Sequence, residues 1–153
     1  MIVLNVITQE AINPALKLLP GAMDSPEARV MLLTIGLQES GFITRVQKVN
    51  GGGKGPARSY WQMERGGGVL GVLNHKATKR LAVEVCEARG VSPTSLDVWN
   101  AMEEDDVLGA AFARLLLYTD PFRLPSVTNA DGGWELYLRV WRPGKPHPSS
   151  WPG

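Results

Sequence analysis

Charge imbalance is the first thing this sequence lacks. Its 16 lysines and arginines meet 15 acidic residues, for a net charge of +1. Without a cationic surplus or a basic run, no broad field draws the chain to nucleic acid or an anionic membrane. No nucleic-acid partner is expected. A neutral polymer held by hydrogen bonds and stacking is untouched by this argument. Cysteine is nearly absent, and with Cys86 alone no internal disulfide can form. Its neighbours Leu81, Ala82 and Val85 predict a buried, inert thiol rather than an exposed nucleophile. The two histidines, His75 and His147, are scattered, so no metal-ligand spacing exists, and neither a metal nor a cofactor is expected.

Other signatures are missing too. No Gly-x-Ser-x-Gly elbow supports a serine hydrolase. Gly51-Gly52-Gly53-Lys54-Gly55 lacks the early glycine, the following Ser/Thr and the helix of a phosphate loop. Met1 to Gln9 has no basic segment leading into a long apolar run, so neither a secretory signal nor membrane insertion is expected.

What remains is a folding composition. Apolar residues make up 44% and charged residues 20% of 153 positions, which predicts one domain over 1–153. Helical spacing of Ala11, Ile12, Ala15, Leu16 and Leu19 predicts an N-terminal helix over about 9–19, interrupted by Pro14. Asp24-Ser25-Pro26-Glu27 reads as a helix start, with Asp24 as cap and Glu27 closing a capping box. That helix should stop at Gly41. Segments near 43–49 and 57–63 flank a glycine-rich turn and predict a small antiparallel hairpin. Gly66-Gly67-Gly68 reads as a loop, and His75 as part of a helix start. Further helices are expected over about 78–89, from Ser92-Pro93 to about Met102, over 107–118 behind Asp105 or Asp106, and over 131–141. A proline-rich tail follows from about 143. The fold class is therefore α+β, mostly helical, with a small hairpin after the second helix.

Glu39 stands out chemically. Leu32, Ile35, Gly36 and Glu39 follow i, i+3, i+4 and i+7, which places the carboxylate on the buried stripe of its helix. It also occupies the last turn, where the helix dipole disfavours negative charge. Both effects raise a carboxyl's pKa, and a protonated acid in an apolar pocket suits cleavage of a glycosidic bond. Spacing alone leaves a second possibility, an exposed helix-end glutamate. In the hairpin's second arm, strand geometry would place Tyr60, Gln62 and Glu64 on one face, with Trp61 and Met63 on the other. Tyrosine and glutamine make a plausible sugar-binding face, with Glu64 as a second carboxylate; an ordinary amphipathic strand fits equally well. Trp134, Tyr137 and Trp141 share one face of the last helix, as core residues or with Trp141 reaching a cleft.

Four segments, in order, resemble the superfamily of goose-type lysozymes and soluble lytic transglycosylases, especially its short phage or prophage members. Leu33 to Phe42, containing Glu39-Ser40, is similar to the family's helix ending in a catalytic Glu-Ser pair and an aromatic residue. Ala57-Arg58-Ser59-Tyr60-Trp61-Gln62 resembles its Ala-x-Gly-Leu-Met-Gln strand. Asp106 to Leu115 resembles its Asn-Ile-x-x-Gly-x-x-Tyr-Leu helix, and Val140-Trp141-Arg142-Pro143-Gly144 stands where the family has Ala-Tyr-Asn-Ala-Gly. The likeness spans about 24–145. Ser59 replaces a glycine, Tyr60-Trp61 replaces Leu-Met, and Trp141-Arg142-Pro143 replaces Tyr-Asn-Ala. The tyrosine that in many transglycosylases lies downstream of the fourth motif and holds the glutamate has no counterpart here.

The resemblance implies a lysozyme-like fold and cleavage of the bond from N-acetylmuramic acid to N-acetylglucosamine, with Glu39 as general acid. It implies Ser40, Tyr60, Gln62, Tyr137 and Trp141 as substrate-binding residues and peptidoglycan strands as the partner, alongside other phage or lysis proteins. Glu64 is the candidate partner carboxylate if water is the acceptor. A protein made in the bacterial cytoplasm would reach the wall by lysis, a pore or a phage particle. The alternative is a non-catalytic module of the same fold that binds glycan or builds part of a phage or cell-wall machine.

Overall fold

The computed structural model describes residues 2–144 and 146–151. It is an α+β fold, mostly helical, with a small antiparallel sheet directly after the helix that carries Glu39.

The architecture is organised around one apolar helix, α7 (Asp106–Tyr118), in which every residue from Val107 to Leu117 is buried. A helix apolar on all sides has no face to give to water, so it becomes the axis on which others pack. The N-terminal helical segment, α3, α4 and α5 all pack against it. Asp105 caps its start by accepting from the Leu108 amide at 3.1 Å. Arg114 of this helix is buried although charged: 5% exposed, it donates from Nε to the Met23 carbonyl at 2.9 Å.

Helix α3 (Pro26–Glu39) buries Ala28, Met31, Leu32, Ile35 and Gly36, the stripe expected from the sequence. Its cap differs from expectation. Ser25, not Asp24, accepts from the Ala28 amide, because the helix starts at Pro26 and Ser25 is the residue directly before it, while Asp24 pairs with Arg29 at 2.8 Å. The helix ends where expected, with Gly41 left-handed at φ 64°.

The N-terminal segment starts earlier than its spacing suggests. Helix α1 (Ile2–Ile7) and helix α2 (Asn13–Lys17) are joined by a π-helical turn, Thr8–Ile12. Pro14 lacks an amide hydrogen and its ring crowds the carbonyl four residues back, which accounts for the widened turn just before it.

The expected hairpin is present with shorter arms and an added strand. Strands β1 (Val46–Lys48), β2 (Lys54–Arg58) and β3 (Met63–Glu64) form an antiparallel sheet in that order, pairing Lys48 with Lys54 and Ala57 with Glu64. The second arm therefore ends at Arg58, and residues 59–62 form a turn in which Ser59 and Gln62 take φ of 69° and 52°. The glycines after β3 do not form a plain loop. Arg65–Val69 is wound but kinked at Gly67, whose φ of −100° and ψ of −105° are non-helical, and it leads into α4 (Leu70–Asn74); His75 ends that helix instead of starting one.

Helix α5 (Lys79–Arg89) stops at left-handed Gly90, and α6 (Ser95–Ala101) begins behind a Thr94 cap, two residues after Pro93. Cys86 is fully buried on α5, and burial pushes its thiol up to about 11. Helix α8 (Ala130–Trp141) starts at an Asn129 cap and ends at Arg142, left-handed at φ 49°. The proline-rich tail then folds back through a short 3-10 turn, Pro148–Ser150. Among the described residues, no helix is long and apolar enough to cross a membrane.

Candidate active site

Glu39 is the last residue of α3 and is half-buried. Its Oε2 accepts a hydrogen bond from the Tyr137 hydroxyl of α8. Burial pushes the Glu39 carboxyl above its ordinary value of 4.5, and the Tyr137 bond opposes that rise by favouring the ionised form. Burial is the larger influence. Tyr137 is 2% exposed, and burial together with the neighbouring carboxylate pushes its hydroxyl far above the usual tyrosine value. The phenol thus stays a donor wherever Glu39 titrates. One arm of the pair can give up a proton while the other holds it in place.

Two hydrogen bonds tie this corner to the turn at 59–62. Ser40 Oγ donates to the Tyr60 carbonyl at 2.6 Å, and the Trp141 indole donates to the Trp61 carbonyl at 2.8 Å. The turn is braced from within: Ser59 Oγ accepts from the Trp61 amide at 3.1 Å, and Gln62 Nε2 donates to the Ser59 carbonyl at 2.8 Å. Left-handed backbone at non-glycine residues carries strain of about 1–3 kcal/mol each, tolerated where surrounding contacts over-determine the shape. Below the turn, Trp61 is fully buried and bonds the Leu32 carbonyl of α3 at 2.7 Å. Its ring meets Phe42 edge-on with centroids 5.8 Å apart. Gly36 makes room for Phe42, since a β-carbon there would fall 2.1 Å from the ring. Gly109 of α7 does the same for Ser59, whose Cβ would lie 3.0 Å away.

Beside this corner lies a cleft of about 560 Å³. Gln62, Met63 and Glu64 form one wall, Gly66 to Gly68 with His75 another, and Thr119, Asp120, Arg139, Trp141 and Arg142 the third. Asp120 and Arg139 form a two-pronged ion pair there, both contacts 3.1 Å. Glu39 is not part of that lining. It is coupled to the cleft through Tyr137, one helical turn before Trp141, and through Ser40, whose partner Tyr60 lies two residues before Gln62.

Comparison with family models, with curated proteins and with solved structures finds no match to this chain.

The structure brings together Glu39, Ser40, Tyr137, Gln62 and Trp141, but redistributes their duties. Gln62 and Trp141 line the cleft. Tyr60 does not share a face with Gln62 and Glu64, because 59–62 is a turn; it is 8% exposed, set edge-on against Phe42 and under the Arg45 guanidinium, 4.5 Å from its ring centre. Ser40 spends its hydroxyl on the Gly36 and Tyr60 carbonyls and on the Phe42 amide. Tyr137 lies beneath the surface and holds the carboxylate; it is not placed to meet a sugar. Trp61 and Met63 point inward, as the strand pattern had them. Glu64 is exposed in the cleft wall, with no hydrogen bond between its side chain and other described residues. Among the described residues, no group of His, Cys, Asp or Glu is arranged to hold a metal.

Sequence reasoning missed Tyr137 as the glutamate's holder, because it looked downstream of Trp141 rather than upstream. The aromatic spacing of α8 was the available signal. It also missed the glycine wall of the cleft and the Asp120–Arg139 pair.

Proposed function

We propose that the protein cleaves peptidoglycan glycan strands between N-acetylmuramic acid and N-acetylglucosamine, with Glu39 as the acid. The observation that carries this reading is the Glu39–Tyr137 pair: a half-buried carboxyl, raised by burial and aimed by a phenol, tied through its neighbours to a cleft of about 560 Å³ lined by Gln62 and Trp141. Protonated Glu39 gives its proton to the bridging oxygen as the bond from muramic C1 breaks. The resulting carboxylate then takes the proton of the muramic C6 hydroxyl as O6 closes onto C1, leaving an anhydro end. This one-carboxylate course is favoured over hydrolysis because Tyr137 already serves Glu39 as orienting partner, while Glu64 has no group to orient it. Gln62, braced in its turn, and Trp141, locked by its indole bond, would grip the sugars.

The test is solubilisation of purified cell-wall sacculi by the wild type and by Glu39→Gln. Wild-type release, with loss of roughly 10²–10⁴-fold in the variant, is expected for removal of a general acid. Equal release by both, or none by the wild type, overturns the proposal.

A further inference from the structure

The tail beyond α8 returns to the catalytic corner and attaches at three points. Gln38, immediately before Glu39, donates from Nε2 to the His147 carbonyl at 3.1 Å and accepts from Ser150 Oγ at 3.2 Å. The Trp151 indole donates to the Ala130 carbonyl, in the first turn of α8, at 3.1 Å. Between these anchors the Trp151 ring stacks on Tyr137, centroids 5.1 Å apart and planes 29° from parallel, and meets Trp134 edge-on at 5.4 Å. The tail thus fastens the end of the helix bearing Glu39 to the start of the helix bearing Tyr137. Its largest side chain covers the phenol that bonds the carboxylate.

We propose that residues 146–151 form a strap that holds the Glu39–Tyr137 pair in register, with Trp151 as a positioning residue. A stacked, hydrogen-bonded aromatic ring fixes its neighbour far better than a solvated loop does, and active groups need holding to within about 0.5 Å of their working geometry. Trp151 also shields one side of Tyr137, so water kept off the phenol is kept off the bond it makes. Among the described residues, His147 stands in the strap with its imidazole exposed, and Tyr60 lies beyond Ser40 with Arg45 over its ring. Burial and the Tyr137 bond are the influences on the Glu39 carboxyl, and the strap bears on both by covering Tyr137. The consequence for catalysis rests on the reading of Glu39 as the acid; the positioning itself does not.

Two measurements on the full chain separate the two ideas. Carbon-detected NMR titration of the Glu39 carboxyl follows the pair whether or not the protein is an enzyme. Trp151→Ala should lower the Glu39 pKa toward the ordinary carboxyl value as water enters. Trp151→Phe, which can still stack, should leave it close to wild type. Gln38→Ala, which frees the strap's other end without opening a cavity, should move it in the same direction as Trp151→Ala and serves if that variant folds poorly. In sacculus solubilisation, Trp151→Ala should lower kcat on the order of tenfold with KM little changed, and Trp151→Phe should restore it. Unchanged Glu39 titration in folded Trp151→Ala and Gln38→Ala overturns the strap. An altered titration in a protein that releases no muropeptides upholds the strap and sinks only the lytic reading.

Discussion

Tyr137 donates its hydroxyl hydrogen to Glu39 Oε2, joining α8, a turn before its end, to the last residue of α3. The two residues are 98 positions apart in sequence. That bond and burial pull the carboxyl's pKa in opposite directions, so each can be changed separately.

Tyr137→Phe removes the bond and keeps the ring packed against Trp134 and Trp151. Because the bond favours the ionised carboxylate, its loss should raise the Glu39 pKa further above 4.5. The direction is opposite to that expected for Trp151→Ala. Cleavage should fall about tenfold in kcat as the carboxyl loses its orientation. A Glu39 pKa that falls or stays put in the NMR titration would contradict the geometry.

The raised Glu39 pKa also has a stability signature. A carboxyl that ionises at higher pH when folded than when unfolded costs stability once charged, so its effect appears as pH rises from 4.5 through the folded value. Glu39→Gln keeps the shape and an acceptor for Tyr137 but cannot ionise. Its melting temperature should exceed that of the wild type at about pH 8, with the gap closing toward about pH 4. Equal melting temperatures across that range would mean that Glu39 carries no burial penalty.

Gly36 tests the packing under the site. A β-carbon there meets Phe42 Cζ at 2.1 Å, and Phe42 has little freedom between Tyr60 and Trp61. Gly36→Ala should destabilise the protein by about 1–3 kcal/mol, the usual cost of overpacking, despite alanine's better helix propensity. Urea denaturation gives the value. A neutral or stabilised variant would show that Phe42 moves freely.

Much of the fold was legible because its signals are local. Gly41 and Gly90 ended their helices, Asp105 or Asp106 marked the start of α7, and the apolar run after them marked its length. What was not legible depends on tertiary contacts. Period-two alternation suggested a strand through Gln62, yet the Trp61 bond to the Leu32 carbonyl and the approach of α7 at Gly109 fold 59–62 into a left-handed turn. Nothing local predicts that Ser59 and Gln62 adopt a conformation that side chains disfavour. Gly66 to Gly68 looked like a loop because glycine weakens helices; Gly67 does break the winding, while Val69 and Val72 pack into the core beyond it. Spacing alone left Glu39 either on the buried stripe or at an exposed helix end, and packing half-buries it. Its partner was not legible, because which residue of α8 meets the end of α3 is decided by how the two helices are brought together.

Glu64→Gln separates the proposed one-carboxylate course from hydrolysis. Loss of a working general base costs roughly 10²–10⁴-fold, whereas loss of a bystander in the cleft wall costs little. Glu64→Gln should keep cleavage within about threefold of wild type, as read by the rate of muropeptide release. A collapse in rate would make Glu64 the base that activates water.

The most direct test of the central claim is mass spectrometry of the muropeptides released from purified sacculi by wild type and by Glu39→Gln. Anhydromuramic ends from the wild type and no cleavage products from the variant are the predicted result. Cleavage products from Glu39→Gln at the wild-type level would contradict it.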